Sequence, residues 1–81
     1  MKGVANHFRV EILALLKDAP DRTLAEIADD LKGDFRTISE HVRKMVHAGL
    51  VVKQHEGASV HHRLSKLGEY LVKFLGTIAN D

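Results

Sequence analysis

Residues 34–64 read DFRTISEHVRKMVHAGLVVKQHEGASVHHRL, and the periodicity of this stretch changes once, at Leu50. Before that point Ile38, Val42, Met45 and Val46 share one helical face, with Phe35 close to it. Arg36, Glu40, Arg43, Lys44 and His47 lie opposite, with Thr37 at the edge. Asp34 is a natural N-cap, and Ala48-Gly49-Leu50 closes the helix, so a basic amphipathic helix is predicted over about 34–48. Beyond it, Leu50-Val51-Val52 is apolar and mostly β-branched, Lys53-Gln54-His55 is polar, and Glu56-Gly57 can make a tight turn. Val60, His62 and Leu64 then alternate with His61 and Arg63, as a half-buried strand does. A β-hairpin from about Val51 to Leu64 is predicted.

Upstream, Phe8, Ile12, Leu15 and Leu16 form one helical stripe that Val10 and Leu13 widen, predicting a helix over about Val4–Lys17. Pro20 lacks a donor and drives Ala19 from helical angles, ending it. Thr23-Leu24-Ala25-Glu26 has the form of a capping box and opens a short helix carrying Leu24, Ile27, Ala28 and Leu31. Lys32-Gly33 supplies the turn, with Gly33 free to adopt positive φ. Two short helices about three residues apart, the second amphipathic and basic, have helix-turn-helix spacing. Downstream, Ser65 can cap a helix to about Ala79 whose stripe is Leu67, Leu71, Phe74, Leu75 and Ile78, with Tyr70 beside it. The resulting class is mainly α with a small β-hairpin, a winged helix-turn-helix in the order α-α-α-β-β-α.

The 81 residues make one domain, 1–81, without room for a second core. A chain this short buries roughly 60–65% of its unfolded surface, so pairing with a second copy would add stability. The wide apolar face of the terminal helix, about 65–79, suits a homodimer surface through Leu67, Leu71, Phe74, Leu75 and Ile78, and equally suits packing on the first helix. With 44% hydrophobic and 28% charged residues the chain is too apolar for disorder. There is no cysteine, which excludes disulfides, thiolate metal sites and cysteine nucleophiles. The longest apolar run, Ile12 to Leu16, is far short of a membrane span, and the amino terminus has no apolar signal core. A cytoplasmic protein without a membrane role is the expectation.

The net charge of +1 is unevenly divided. Residues 1–31 carry four cationic and six acidic side chains, a net −2, whereas residues 32–66 carry seven and three, a net +4; residues 67–81 come to −1. A polyanionic partner is implied for the middle segment alone.

With these elements placed, the chain resembles the ArsR-type winged-helix transcriptional regulators, and secondarily MarR-like ones. Ala5-Asn6-His7-Phe8-Arg9-Val10-Glu11-Ile12-Leu13 is similar to that family's opening A-N-P-x-R-x-x-I-L. Thr37-Ile38-Ser39-Glu40-His41-Val42 resembles its T-V-S-x-H-L, Ala48-Gly49-Leu50-Val51 its A-G-L-V, and Glu56-Gly57 with Val60-His61-His62-Arg63-Leu64 its wing, E-G-x-x-V-Y-Y-x-L. The similarity covers about residues 4–65. His7 replaces the usual proline, Gly33 sits where an apolar residue is common, and His61-His62 replace aromatics. The family's metal sites use cysteines in the helix-turn-helix or Asp/His/Glu sets in the terminal helix. This chain has no cysteine, and no histidine follows Ser65. The resemblance therefore implies DNA binding and regulation by a dimeric repressor, and does not carry metal sensing with it.

On this reading Arg36, Thr37, Glu40 and His41 reach base edges or the groove, Arg36 chelating guanine and Glu40 accepting from cytosine. Arg43 and Lys44 meet phosphates, Asp34 is a cap, and Thr37 and Ser39 suit either role. The wing offers Lys53, Gln54, His55, Ser59, His61 and Arg63 to the backbone or minor groove. Five of the six histidines fall between His41 and His62, yet no two have helical i, i+4 ligand spacing. His62 is expected to pack inward, His41 and His61 to hydrogen-bond to DNA or backbone, and no metal or cofactor is expected. Ser39 and His41, two apart on a helix, cannot face one another, and no carboxylate pair or phosphate loop is present, so no catalytic residue is expected. Double-stranded DNA is the expected partner, with a small-molecule or metal effector unsupported; the alternative is a winged helix that docks another protein without binding DNA.

Overall fold

The computed structural model describes residues 2–79, with side chains described from residue 7 to residue 76. Helix α1 spans Lys2–Asp18, α2 Leu24–Leu31, α3 Phe35–His47, strand β1 Val51–Glu56, β2 Ser59–Leu64 and α4 Lys66–Ala79. The element order is that of a winged helix-turn-helix, and each boundary lies close to the one predicted from periodicity and caps.

The helix starts follow from local hydrogen bonding. At α2 the capping box forms in both directions: the Glu26 N–H donates to Thr23 Oγ1 at 3.2 Å, and the Thr23 N–H donates to Glu26 Oε1 at 2.9 Å. The Glu26 carboxyl is held below its usual range chiefly by that backbone hydrogen bond. At α4, Ser65 Oγ accepts from the Gly68 N–H at 3.0 Å while donating to the Gly49 carbonyl at 2.6 Å. One hydroxyl thus starts α4 and ties it to the end of α3.

The turn between α2 and α3 departs from expectation. Lys32, not Gly33, takes the left-handed conformation at φ 54°, and the Gly33 N–H bonds back to the Ala28 carbonyl at 2.9 Å. Gly33 is needed for space: a Cβ there would stand 2.9 Å from Ile38 Cδ1 and Cγ1. Gly68 plays a similar part in α4, where a Cβ would collide with the Leu50 carbonyl oxygen. Close approach of α4 to that backbone is what lets the last helix close the core.

The core gathers Ile12, Leu13 and Leu16 from α1, Ile27 and Ala28 from α2, and Ile38, Val42 and Met45 from α3. Val51 and Leu64 join from the base of the hairpin, and Val72 from α4. Val10, expected to widen the α1 stripe, is exposed, because Leu13 and Leu16 already complete the buried arc.

Strands β1 and β2 pair antiparallel from Val51 opposite Leu64 to Glu56 opposite Ser59, leaving Gly57-Ala58 as the turn rather than Glu56-Gly57. Directly opposed residues share a face. Val51, Lys53 and His55 therefore lie with Leu64, His62 and Val60, and Val52, Gln54 and Glu56 with Arg63, His61 and Ser59. A contact absent from the sequence reading completes the hairpin: Arg22 bridges His62, with His62 N–H to Arg22 O at 2.9 Å and Asp21 N–H to His62 O at 2.9 Å. The loop between α1 and α2 thus lines the free edge of β2 and satisfies backbone groups there.

Candidate nucleic-acid interface

Helix α3 is anchored at its start by Asp34, whose Oδ2 accepts from the Thr37 N–H at 3.0 Å and from the Thr37 hydroxyl at 3.3 Å. Asp34 is a cap, as predicted, and Thr37 is oriented by it. The buried face of Ile38, Val42 and Met45 fixes the rotation of the helix, so Arg36, Glu40, Arg43, Lys44 and His47 all project to solvent on the opposite side. Glu40 and Arg43 form an ion pair at 2.9 Å, and the Arg43 guanidinium holds the Glu40 carboxyl below its usual range. Both ends of the pair are exposed, so Arg43 is free to exchange this carboxylate for another anion.

Two residues expected on this surface are elsewhere. His41 turns toward α1: its ring lies 5.7 Å from that of Phe8, and its Nδ1 is buried without a hydrogen-bond partner. Burial first, and then the charge of Arg9, lower the His41 pKa, so the imidazole is neutral at pH 7. The Ser39 hydroxyl is likewise buried without a partner and neither caps the helix nor faces outward. At 100° per residue, positions 39 and 41 flank the buried face rather than oppose it.

The hairpin also divides its predicted set. Lys53, His55 and Ser59 are exposed toward the tip. His61 and Arg63 are engaged at the base. His61 Nδ1 lies 2.8 Å from the Asp21 carbonyl, which can only accept, so that nitrogen carries the hydrogen. Arg63 Nε and Nη2 both donate to Asp21 Oδ1, at 3.0 and 2.7 Å. Asp21 itself adopts φ 65°, an uncommon conformation for a residue with a side chain, and the bonds from His61, Arg63 and the His62 strand edge sustain it. His61 and Arg63 thus brace the wing against the α1–α2 loop: the bond to backbone is one of the two outcomes expected of His61, whereas Arg63, expected at the DNA backbone, is paired with Asp21. His62 packs inward at 2% exposure, its Nδ1–H donating to the Arg22 carbonyl at 2.9 Å, and burial lowers its pKa.

The stripe assigned to α4 splits. Leu71 and Leu75 pack partly buried against the chain's own core beside Val72, whereas Leu67, Tyr70 and Phe74 are 56%, 69% and 53% exposed. Ile78 lies outside the described side chains. Positions 68, 71, 72 and 75 form the inner face and 67, 70 and 74 the outer one, a phase that a stripe broad enough to include both conceals. The part played by Asp21 is likewise invisible in the sequence, since nothing local links residue 21 to residue 63. Phe35, expected close to the buried face, is 55% exposed at the start of α3.

Among the described residues no three His, Asp or Glu side chains converge as a metal site would require, and no helix is long and apolar enough to cross a membrane.

A family profile described as a helix-turn-helix domain matches residues 4–54. Among curated proteins, none matches in sequence. Solved structures do. The MepR–DNA complex of Staphylococcus aureus superposes with a TM-score of 0.83 at 19% identity, over 90% of this chain and 63% of that one. FabT of Streptococcus pneumoniae, in complex with DNA, gives 0.81 at 16%, over 89% and 52%. The multiple antibiotic-resistance repressor MarR of Listeria monocytogenes gives 0.75 at 24%, over 82% and 46%. At these identities the likeness establishes a shared winged fold, and the chain spans between 46% and 63% of those proteins' lengths.

Proposed function

This chain belongs to the helix-turn-helix domain family, and from that premise we propose that it is a sequence-specific, double-stranded DNA-binding transcriptional regulator that acts as a dimeric repressor. The observation that carries the reading is the outer face of α3, where Arg36, Arg43, Lys44 and His47 project together from a helix capped and rotated by its own core. A helix of this kind fits the major groove, about 12 Å wide. Arg36 near the helix start reaches guanine, Glu40 accepts from cytosine or yields Arg43 to a phosphate, and Lys44 follows the backbone. Lys53, His55 and Ser59 at the hairpin tip meet the flanking backbone, while Asp21, His61 and Arg63 hold the hairpin at its angle. The DNA complexes of the structurally similar MepR and FabT support the mode of binding, and the motifs quoted above support the finer placement with ArsR-type regulators.

Two copies pair through the outer face of α4, presenting two recognition helices to half-sites about one helical turn apart. With about 3–4 phosphate contacts per subunit, a dimer makes about 6–8, and affinity falls by roughly three orders of magnitude between 50 and 200 mM salt. A mobility shift on random duplex DNA, repeated across a salt series, tests this directly. Retarded complexes at low salt that vanish steeply with added salt are expected. Absence of any complex, or a flat response to salt, refutes the reading in favour of a protein-docking module.

A further inference from the structure

Phe35 is the first residue of α3, and more than half of it, 55%, faces solvent. It does not serve the core, which Ile38, at 0% exposure, already seals one turn later. Its ring overhangs a shallow concavity lined by Ala25, Ala28, Asp29, Lys32 and Gly33, at the end of α2. Because side chains lean toward the helix N-terminus, the ring projects at the tip of α3, the end that meets base edges when such a helix enters the major groove. Exposed Arg36 stands next to it and Lys32 just before the helix, against Asp29 in the concavity and Asp34, which is engaged as the helix cap; the positive face of α3 that draws a polyanion begins at Arg36. Phenylalanine has no hydrogen-bonding group to offer a base. The one apolar group on the major-groove edges of the four base pairs is the C5-methyl of thymine.

We infer that Phe35 is a specificity-determining residue that reads a thymine methyl group, beside the guanine read by Arg36. The inference rests on the DNA-binding reading and deepens it by naming a chemical feature of the site. Burial of one methyl group against the ring is worth about a three- to fivefold preference.

The test uses the full 81-residue chain. Duplex sites are selected from a random library, and each selected thymine is then replaced by deoxyuridine, which removes only the methyl group. One thymine per half-site is expected whose replacement weakens binding about three- to fivefold. The same replacement should leave the Phe35→Ala variant unaffected, and Phe35→Leu should retain part of the penalty. Melting curves for both variants check that the fold is intact. The inference is overturned if every thymine tolerates deoxyuridine, if no thymine is selected beside the Arg36-dependent base, or if the penalty persists in Phe35→Ala. In those outcomes specific binding survives and the regulator reading stands. Failure of the wild-type chain to select any site sinks both.

Discussion

Helices α3 and α4 are nearly equal in length, at 13 and 14 residues, and each gives one face to the same core, yet their outer faces have opposite chemistry. That of α3 carries Arg36, Arg43, Lys44 and His47 around the single carboxylate of Glu40; that of α4 carries an apolar strip of Leu67, Tyr70 and Phe74 beside the exposed Lys66, Glu69 and Lys73. The inner faces are interchangeable in kind, since burial asks only for apolar residues that fit. The outer faces are not, because solvent leaves their chemistry unconstrained by the core. A cationic face exposed to water suits a polyanion, and an apolar one suits a partner that removes it from water.

The largest contrast is between inner and outer positions. Ile38→Ala, which empties a fully buried site, should cost about 2–5 kcal/mol in denaturant unfolding. Phe74→Ala, on the outer face of α4, should cost the isolated subunit about 0.5 kcal/mol or less. A loss at Phe74 equal to that at Ile38 would show that Phe74 faces the core rather than solvent. The next contrast is between the two outer faces. Arg36→Ala should weaken binding to a selected site by about 1–3 kcal/mol and relax preference at one base pair without changing the unfolding midpoint. Unchanged base preference would break the proposed reading of α3. Phe74→Glu should instead leave base preference intact, convert dimers to monomers in sedimentation, and reduce the logarithmic salt slope from about −6 to about −3. A variant that still sediments as a dimer would remove α4's outer face from the pairing surface.

The smallest expected effect concerns the histidines that face inward. His62 and His41 both have pKa values lowered by burial from the ordinary value of 6.5. The unfolded chain therefore takes up protons that the folded chain refuses. Stability is fully present above about pH 6.5 and declines as pH falls through that value. The thermal midpoint should drop from about pH 7.5 to about pH 5.5, and drop less in His62→Gln. Equal pH dependence in that variant would show that His62 is not a source of the effect.

Most of the architecture is legible in the chain because helices and their starts are written in residues a few positions apart. Thr23 with Glu26, Asp34 with Thr37, and Ser65 with Gly68 each form within a single turn, and each appears as predicted. The same local logic failed where a pattern was broader than one face. Ser39 and His41 are polar and expected at the DNA, yet the rotation that buries Ile38, Val42 and Met45 carries them to the flanks. The α4 stripe contains both an inward and an outward set, which the packing of Leu71, Val72 and Leu75 on the core and the close approach of Gly68 to Leu50 distinguish.

The succession of elements, the caps that start them, and the concentration of positive charge in the segment of α3 and the wing can all be read from the chain alone. These depend on hydrogen bonds and periodicities within a turn or an alternating pair. Packing, by contrast, sets how far each polar side chain remains available. Arg63 and His61 are held by Asp21, some 40 residues earlier in the chain, and His62 by Arg22. Such pairings exist only after packing closes the loop onto the strand edge, since no local propensity couples positions so far apart before the chain has paid the entropy of bringing them together.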